Sequence, residues 1–240
     1  MKKKRQKEIA IELKNVTKHY VLHHEKPTFS ERLVHRTKKE VFTALDDISL
    51  TIYKGEKVGI IGKNGAGKTT LLKIIAGITT PNSGSIKTKG KIVSLIDLEA
   101  GFHPDLTGEE NIYLNGLIIG MSKREIKQKI NEIIEFADIG QFIDAPMYTY
   151  SAGMKLRLGF SVAVHADPDI LILDEGITAG DQDFQEKSMK KINEFFKAGK
   201  TILVVTHWIE FLEKNVERIV WVDEHKVKED GDNSLLRKYL

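Results

Sequence analysis

The chain has 240 residues, 41% of them hydrophobic and 30% charged, with a mean hydropathy of −0.26, a profile of a globular chain with one substantial core rather than of a disordered or membrane-spanning one. It contains no cysteine, which excludes disulfides, thiol catalysis and thiolate metal sites and fits a reducing, cytoplasmic compartment. Lys2, Lys3, Lys4, Arg5 and Lys7 supply more than the whole net charge of +3, so the body is not basic and no nucleic-acid partner is expected.

That basic start reads as a solvated terminus, with attraction to anionic lipid as the alternative, and no apolar run follows it to make a secretory signal. Strand patterns open at 9–13, 48–53 and 58–61. Between the first two, "VLHHEKPTFSERLVHRTKKE" at 21–40 is a polar, basic insert in an N-terminal antiparallel β region. Its Arg32, Arg36, Lys38 and Lys39 read as a solvated face, or alternatively as a contact for membrane or lipid pyrophosphate.

Next comes "VGIIGKNGAGKTTLLKIIAG", an apolar strand, then G-x-x-x-x-G-K-T, then an apolar-periodic helix expected over 68–76. Gly62, Gly65 and Gly67 let the backbone turn tightly, so that the loop through Lys63, Asn64 and Ala66 to Thr70 aims N–H groups at phosphate oxygens. Lys68 is expected at the terminal phosphates and Thr69 offers a hydroxyl to magnesium. A strand at 91–96 follows.

From 97 to 166 no strand pattern occurs, and helices are expected at 109–119, 123–136 and 152–165. This reads as a helical lobe inserted in an α/β core made of 1–96 and 167–240, the whole forming a single domain. Within it "TYSAGMKLRLGF" supplies a second glycine-bearing turn entering a helix, whose Lys155 and Arg157 read as surface charge. Phe102, Leu106, Ile112, Tyr113 and Leu117 either line a docking groove or fill the lobe's own core.

The runs "ILIL" at 170–173 and "ILVV" within 201–205 lack polar alternation, as strands of a parallel sheet covered on both faces do. Asp174 ends the first run as a second magnesium ligand, and Glu175 follows it as the general base that orients the attacking water, a helix-capping Asp-Glu pair being the alternative. His207 stands just past the second run, on the edge where such sheets bind ligands, as a γ-phosphate contact or a structural histidine. Trp208 reads as packing or interface. A helix at 182–197, a strand at 218–222 and a helix at 232–239 complete the pattern.

With these motifs in this order, the chain resembles the ATP-binding subunit of an ABC transporter over nearly its whole length. Tyr150, Ser151, Ala152, Gly153 and Met154 stand where that family carries its Leu-Ser-Gly-Gly-Gln type signature. The resemblance implies a P-loop NTPase core with a mainly parallel sheet (the ABC ATPase fold), ATP and Mg2+ as cofactors, and hydrolysis served by Lys68, Glu175 and the switch histidine His207. It also makes Asp181 the aspartate of the loop joining two sites, and Tyr20 or Phe42 the aromatic on which adenine stacks. Asp97 or Glu99 stands where the family has a glutamine at the magnesium site. A head-to-tail homodimer is implied, in which Ser151 and Gly153 reach the nucleotide held by a second copy.

"SLIDLEAGFHPDLTGEENI", "YSAGMKLRLGF" and "GITAGDQDFQEK" further resemble the branch that exports lipid-linked cell-surface polysaccharides such as teichoic acids, O-antigens and capsules. The implied partner is an integral membrane permease, and the implied place is the cytoplasmic face of the membrane. No C-terminal carbohydrate-binding domain is expected. Another cargo, or a soluble non-transport ABC ATPase, are the alternatives; a single uninterrupted cassette without extended heptads counts against the latter.

Overall fold

The structure is a computed structural model that describes residues 7–22, 40–174 and 181–239. The tail ahead of Lys7, almost all of the expected insert with Arg32, Arg36, Lys38 and Lys39, and Glu175 lie outside the described residues.

The apolar runs form one sheet in the spatial order β5 (Ile92–Ser94), β6 (Ile170–Leu173), β7 (Thr201–Val205), β3 (Lys57–Ile61), β8 (Arg218–Asp223) and β9 (Lys226–Asp232). The pairs from β5 to β8 are parallel, and β9 closes the edge antiparallel. Alternate residues of the inner strands enter two different cores. Ile60, Ile170, Ile172, Leu203 and Val205 pack with the helix α1 (Lys68–Ile75) and with a second, antiparallel sheet, whereas Ile61, Leu171, Leu173, Ile202 and Val204 pack with the helices of the opposite side. Because both faces are covered, no polar alternation survives in these strands.

The second sheet has the order β2 (Glu40–Tyr53), β1 (Ile9–Leu22) and β4 (Ser83–Thr88), all antiparallel. The strands expected at 9–13 and 48–53 are thus only parts of two longer ones, which also bury Val16, Ala44 and Leu45. The expected 91–96 strand shortens to Ile92–Ser94. A further correction concerns the expected 232–239 helix: residues 226–232 are ladder-paired to β8, so the last helix is only Leu235–Tyr239. That helix is α7 and the short one before β8, Ile209–Asn215, is α6.

Between β5 and β6 the described residues form helices α2 (Gly108–Ile118), α3 (Lys123–Ala137) and α4 (Ala152–His165) with two 3-10 turns, and no strand. Thr107 and Ser122 each cap a helix reciprocally with a glutamate three residues on, Glu110 and Glu125. Asn111 is fully buried and holds the loop ahead of α2: its amide donates to the carbonyls of His103, Leu106 and Thr107, and its oxygen accepts from His103 N–H. Ile112 is core, while Leu117 and its neighbour Ile118 are exposed. No helix among the described residues is long and apolar enough to cross a membrane.

Candidate functional site

The carboxyl ends of β6, β7 and β3 lie side by side, which brings Asp174, His207 and the glycine loop ahead of Lys68 to one edge of the sheet. Leaving β3, the chain passes Gly62 and reaches Gly67 with φ +103, directly ahead of α1. A methyl group at Gly67 would stand 2.2 Å from the Ala44 carbonyl oxygen, and one at Gly62 would stand 2.0 Å from that of Val222. Only glycine combines that backbone with that closeness.

Lys68, the first residue of α1, is 8% exposed, and its ammonium donates to the Gly62 and Lys63 carbonyls at 2.8 and 3.0 Å. The cation is therefore set inside the curl of its own loop. An open pocket of about 490 Å³ lies over it, bounded by Asn64, Gly65, Gly67, Thr69 and Thr70 from the loop and helix start, by Asp174 from the end of β6, and by Phe42, Ala44 and Ile96. A helix N-terminus, a buried cation and tightly turned N–H groups on one side of a cavity suit polyphosphate. The Thr69 hydroxyl and the Asp174 carboxylate border the same cavity, and two hard oxygen donors fit magnesium, which takes one or two protein oxygens beside phosphate and water.

Tyr20 and Phe42 face each other directly in the β1–β2 register. Phe42 borders the cavity and meets His225 edge-on at 5.5 Å, whereas the Tyr20 ring is covered by the Lys18 ammonium at 5.1 Å. Asp97 and Glu99 are exposed on the turn just after Ile96. His207 is exposed past β7, in a small crevice with Gly62, Lys68 and Thr206 behind the loop.

The second glycine-bearing turn lies elsewhere. Ser151 is the N-cap of α4, its hydroxyl oxygen accepting from Met154 N–H at 3.2 Å. Ser151, Ala152 and Gly153 are exposed, and none borders the cavity of its own chain. Tyr150, just before them, is buried: its hydroxyl donates to the Phe142 carbonyl at 2.5 Å and fills the space where a side chain at Gly108 would be. Burial pushes the phenol above its ordinary pKa, with Asp144 adding to it.

Asp181 caps α5 (Gln182–Lys197) by accepting from Phe184 N–H at 3.0 Å. That helix-end hydrogen bond holds its carboxyl below the ordinary range, with Arg157 adding to it. Arg157 corrects the surface-charge reading: its side chain is 18% exposed and is ion-paired to Asp181. The signal lay in the helical period, since Phe160 and Ser161, three and four residues on, are both buried.

Residues 45–178 match the family described as "ABC transporter". The chain is 45% identical over 231 residues to the O-antigen export system ATP-binding protein RfbB of Klebsiella pneumoniae, covering 93% of this chain and 94% of that one. It is 43% identical to the teichoic acids export ATP-binding protein TagH of Bacillus cereus (strain ZK / E33L), covering 95% of this chain but 42% of that longer relative. Among solved structures, the dimeric ATP-binding cassette MJ0796 in a post-hydrolysis state bound to ADP and Pi matches 93% of this chain and 98% of its own, at 26% identity and a TM-score of 0.69. Glycine-bound phosphate loop, sheet order and these matches agree, and the chain belongs to the ABC transporter family as one of its ATP-binding cassettes.

Proposed function

We propose that this chain is the ATP-hydrolysing subunit which, as a head-to-tail homodimer on the cytoplasmic face of the membrane, drives export of a lipid-linked cell-surface polysaccharide through a separate permease. One observation carries the dimer: Ser151 and Gly153 form an exposed helix N-terminus that has no part in its own chain's phosphate cavity. The names of the relatives, O-antigen and teichoic acids export proteins, support the cargo class.

In this reading the loop Gly62–Thr70 wraps the phosphates of ATP, and Lys68 exchanges loop carbonyls for phosphate oxygens. Thr69 and Asp174, which border the cavity, would hold magnesium, with Asp97 or Glu99 as the further acidic residue of that site. Bound there, the ion neutralises charge on the terminal phosphates. Glu175 accepts a proton from the attacking water, His207 contacts the γ-phosphate, and Phe42, which borders the cavity, or Tyr20 opposite it supplies the aromatic face for adenine. Ser151 and Gly153 of the partner complete the site, with the α4 dipole assisting. Asp181 links the two sites.

Glu175→Gln should elute as a dimer under saturating ATP in size-exclusion chromatography, because closure no longer ends in hydrolysis. Mixing Lys68→Ala with Ser151→Arg chains should restore part of the ATPase, since one mixed site regains both halves. A monomeric Glu175→Gln chain, or formed heterodimers without recovery, would overturn the dimer. For the cargo, depleting the chain in its own cells should lower glycan labelled by a membrane-impermeant reagent, and unchanged surface labelling would overturn that part.

A further inference from the structure

The start of α5 is held by two cations that run in opposite directions. From α4, Arg157 crosses the Phe184 ring at 5.2 Å and reaches the Asp181 carboxylate, while its other nitrogen lies 3.4 Å from the Asp138 carbonyl and 3.5 Å from the Asp138 carboxylate. From α5, Lys187 covers the Phe136 ring at 4.5 Å and donates to the Glu135 and Phe136 carbonyls at the end of α3. Between the cations, Phe136, Phe160 and Phe184 pack with centroids 5.6 to 6.1 Å apart, one from each helix. A planar guanidinium presents its donors as a fixed fork, so it can serve two helix ends from separate nitrogens while its face lies on a ring, whereas an ammonium is a point charge without that fork.

Arg157 stands six residues from Ser151, about 9 Å along the axis of the same helix. We infer that Arg157 is a positioning residue, fixing α4 to the Asp181 cap so that the Ser151–Gly153 turn offered to a second copy is held at a set position relative to the start of α5 in its own chain. The inference rests on the head-to-tail dimer proposed above. In that dimer, the arginine sets the pose of the turn that completes the partner's site.

The test uses the mixed dimer. Its one working site takes the phosphate loop from the Ser151→Arg chain and the turn from the Lys68→Ala chain, so a change placed in the Lys68→Ala chain can act on it only in trans. Adding Arg157→Met there should cut the recovered kcat by about tenfold with KM for ATP little changed, since misplacement of about 1 Å costs up to about a hundredfold. Asp181→Asn in the same chain should have a similar effect and add little to Arg157→Met. Arg157→Lys, which keeps the charge but not the fork, should recover only part. Circular dichroism melts identify a variant that fails to fold, in which case Arg157→Lys and Asp181→Asn carry the test. Full recovered activity in folded Arg157→Met dimers, or fully additive losses, would overturn the inference. Failure of the parent pair to recover any activity would instead overturn the dimer itself.

Discussion

At Gly67 the backbone lies at φ +103 with the Ala44 carbonyl 2.2 Å from where a methyl would sit, whereas at Gly65 φ is +82 and nothing lies within 4 Å of that place. Both glycines belong to the same motif, but they are required for different reasons. Gly65→Ala bears only the left-handed strain, about 1–2 kcal/mol. Gly67→Ala bears comparable strain and must also push back β2, which carries Ala44 and the cavity-lining Phe42. Gly67→Ala should therefore abolish binding of a fluorescent ATP analogue and lower the melting temperature, while Gly65→Ala keeps measurable binding. Equal losses in the two variants would mean that the close approach to Ala44 does not matter.

Among the elements, α3 is held at its start by a reciprocal cap: Ser122 N–H donates to Glu125 at 2.6 Å, and Glu125 N–H donates to the Ser122 hydroxyl at 3.2 Å. Ser122→Ala should cost about 1 kcal/mol in urea unfolding, and an unchanged midpoint would argue against the cap. Hydrogen bonds from Ser122, then the charge of Lys91, bring the Glu125 carboxyl down to about 2. A depressed carboxylate pKa means that its contribution is complete above the ordinary carboxylate range and fades as pH falls toward about 2. These caps also show which elements could be read from sequence. The strands "ILIL" and "TILVV" were legible because burial on both faces leaves only apolar residues. Neither "SGSIKT" nor "KVKEDGD" was, because each lies at a sheet edge with largely solvent-facing side chains and is held by backbone pairing that leaves no apolar trace. Phosphate-loop residues were legible through their fixed spacing; for Arg157 the helical period marked only the face it lies on, and its ion pairs were not legible because Asp181 and Asp138 come to it from distant positions.

At the scale of the whole molecule, the parallel sheet is shared by two cores that do not otherwise depend on the same residues. Leu203 faces the side of α1 and the antiparallel sheet, and Leu171, on a strand adjacent to β7, faces the side of α2 to α5. Both are fully buried, so each Leu→Ala change should cost about 2–5 kcal/mol. Because the strands cannot keep one face while losing the other, a loss on either side removes the support of both, and the phosphate loop at the end of β3 goes with them. Each variant should then show one heat-absorption peak, shifted to lower temperature, in differential scanning calorimetry, and ATP with magnesium should raise that single peak in both by mass action. If Leu171→Ala splits the transition, with an early peak insensitive to ATP and a late one that responds, the helical side unfolds independently of the nucleotide-binding side, and the sheet does not couple them.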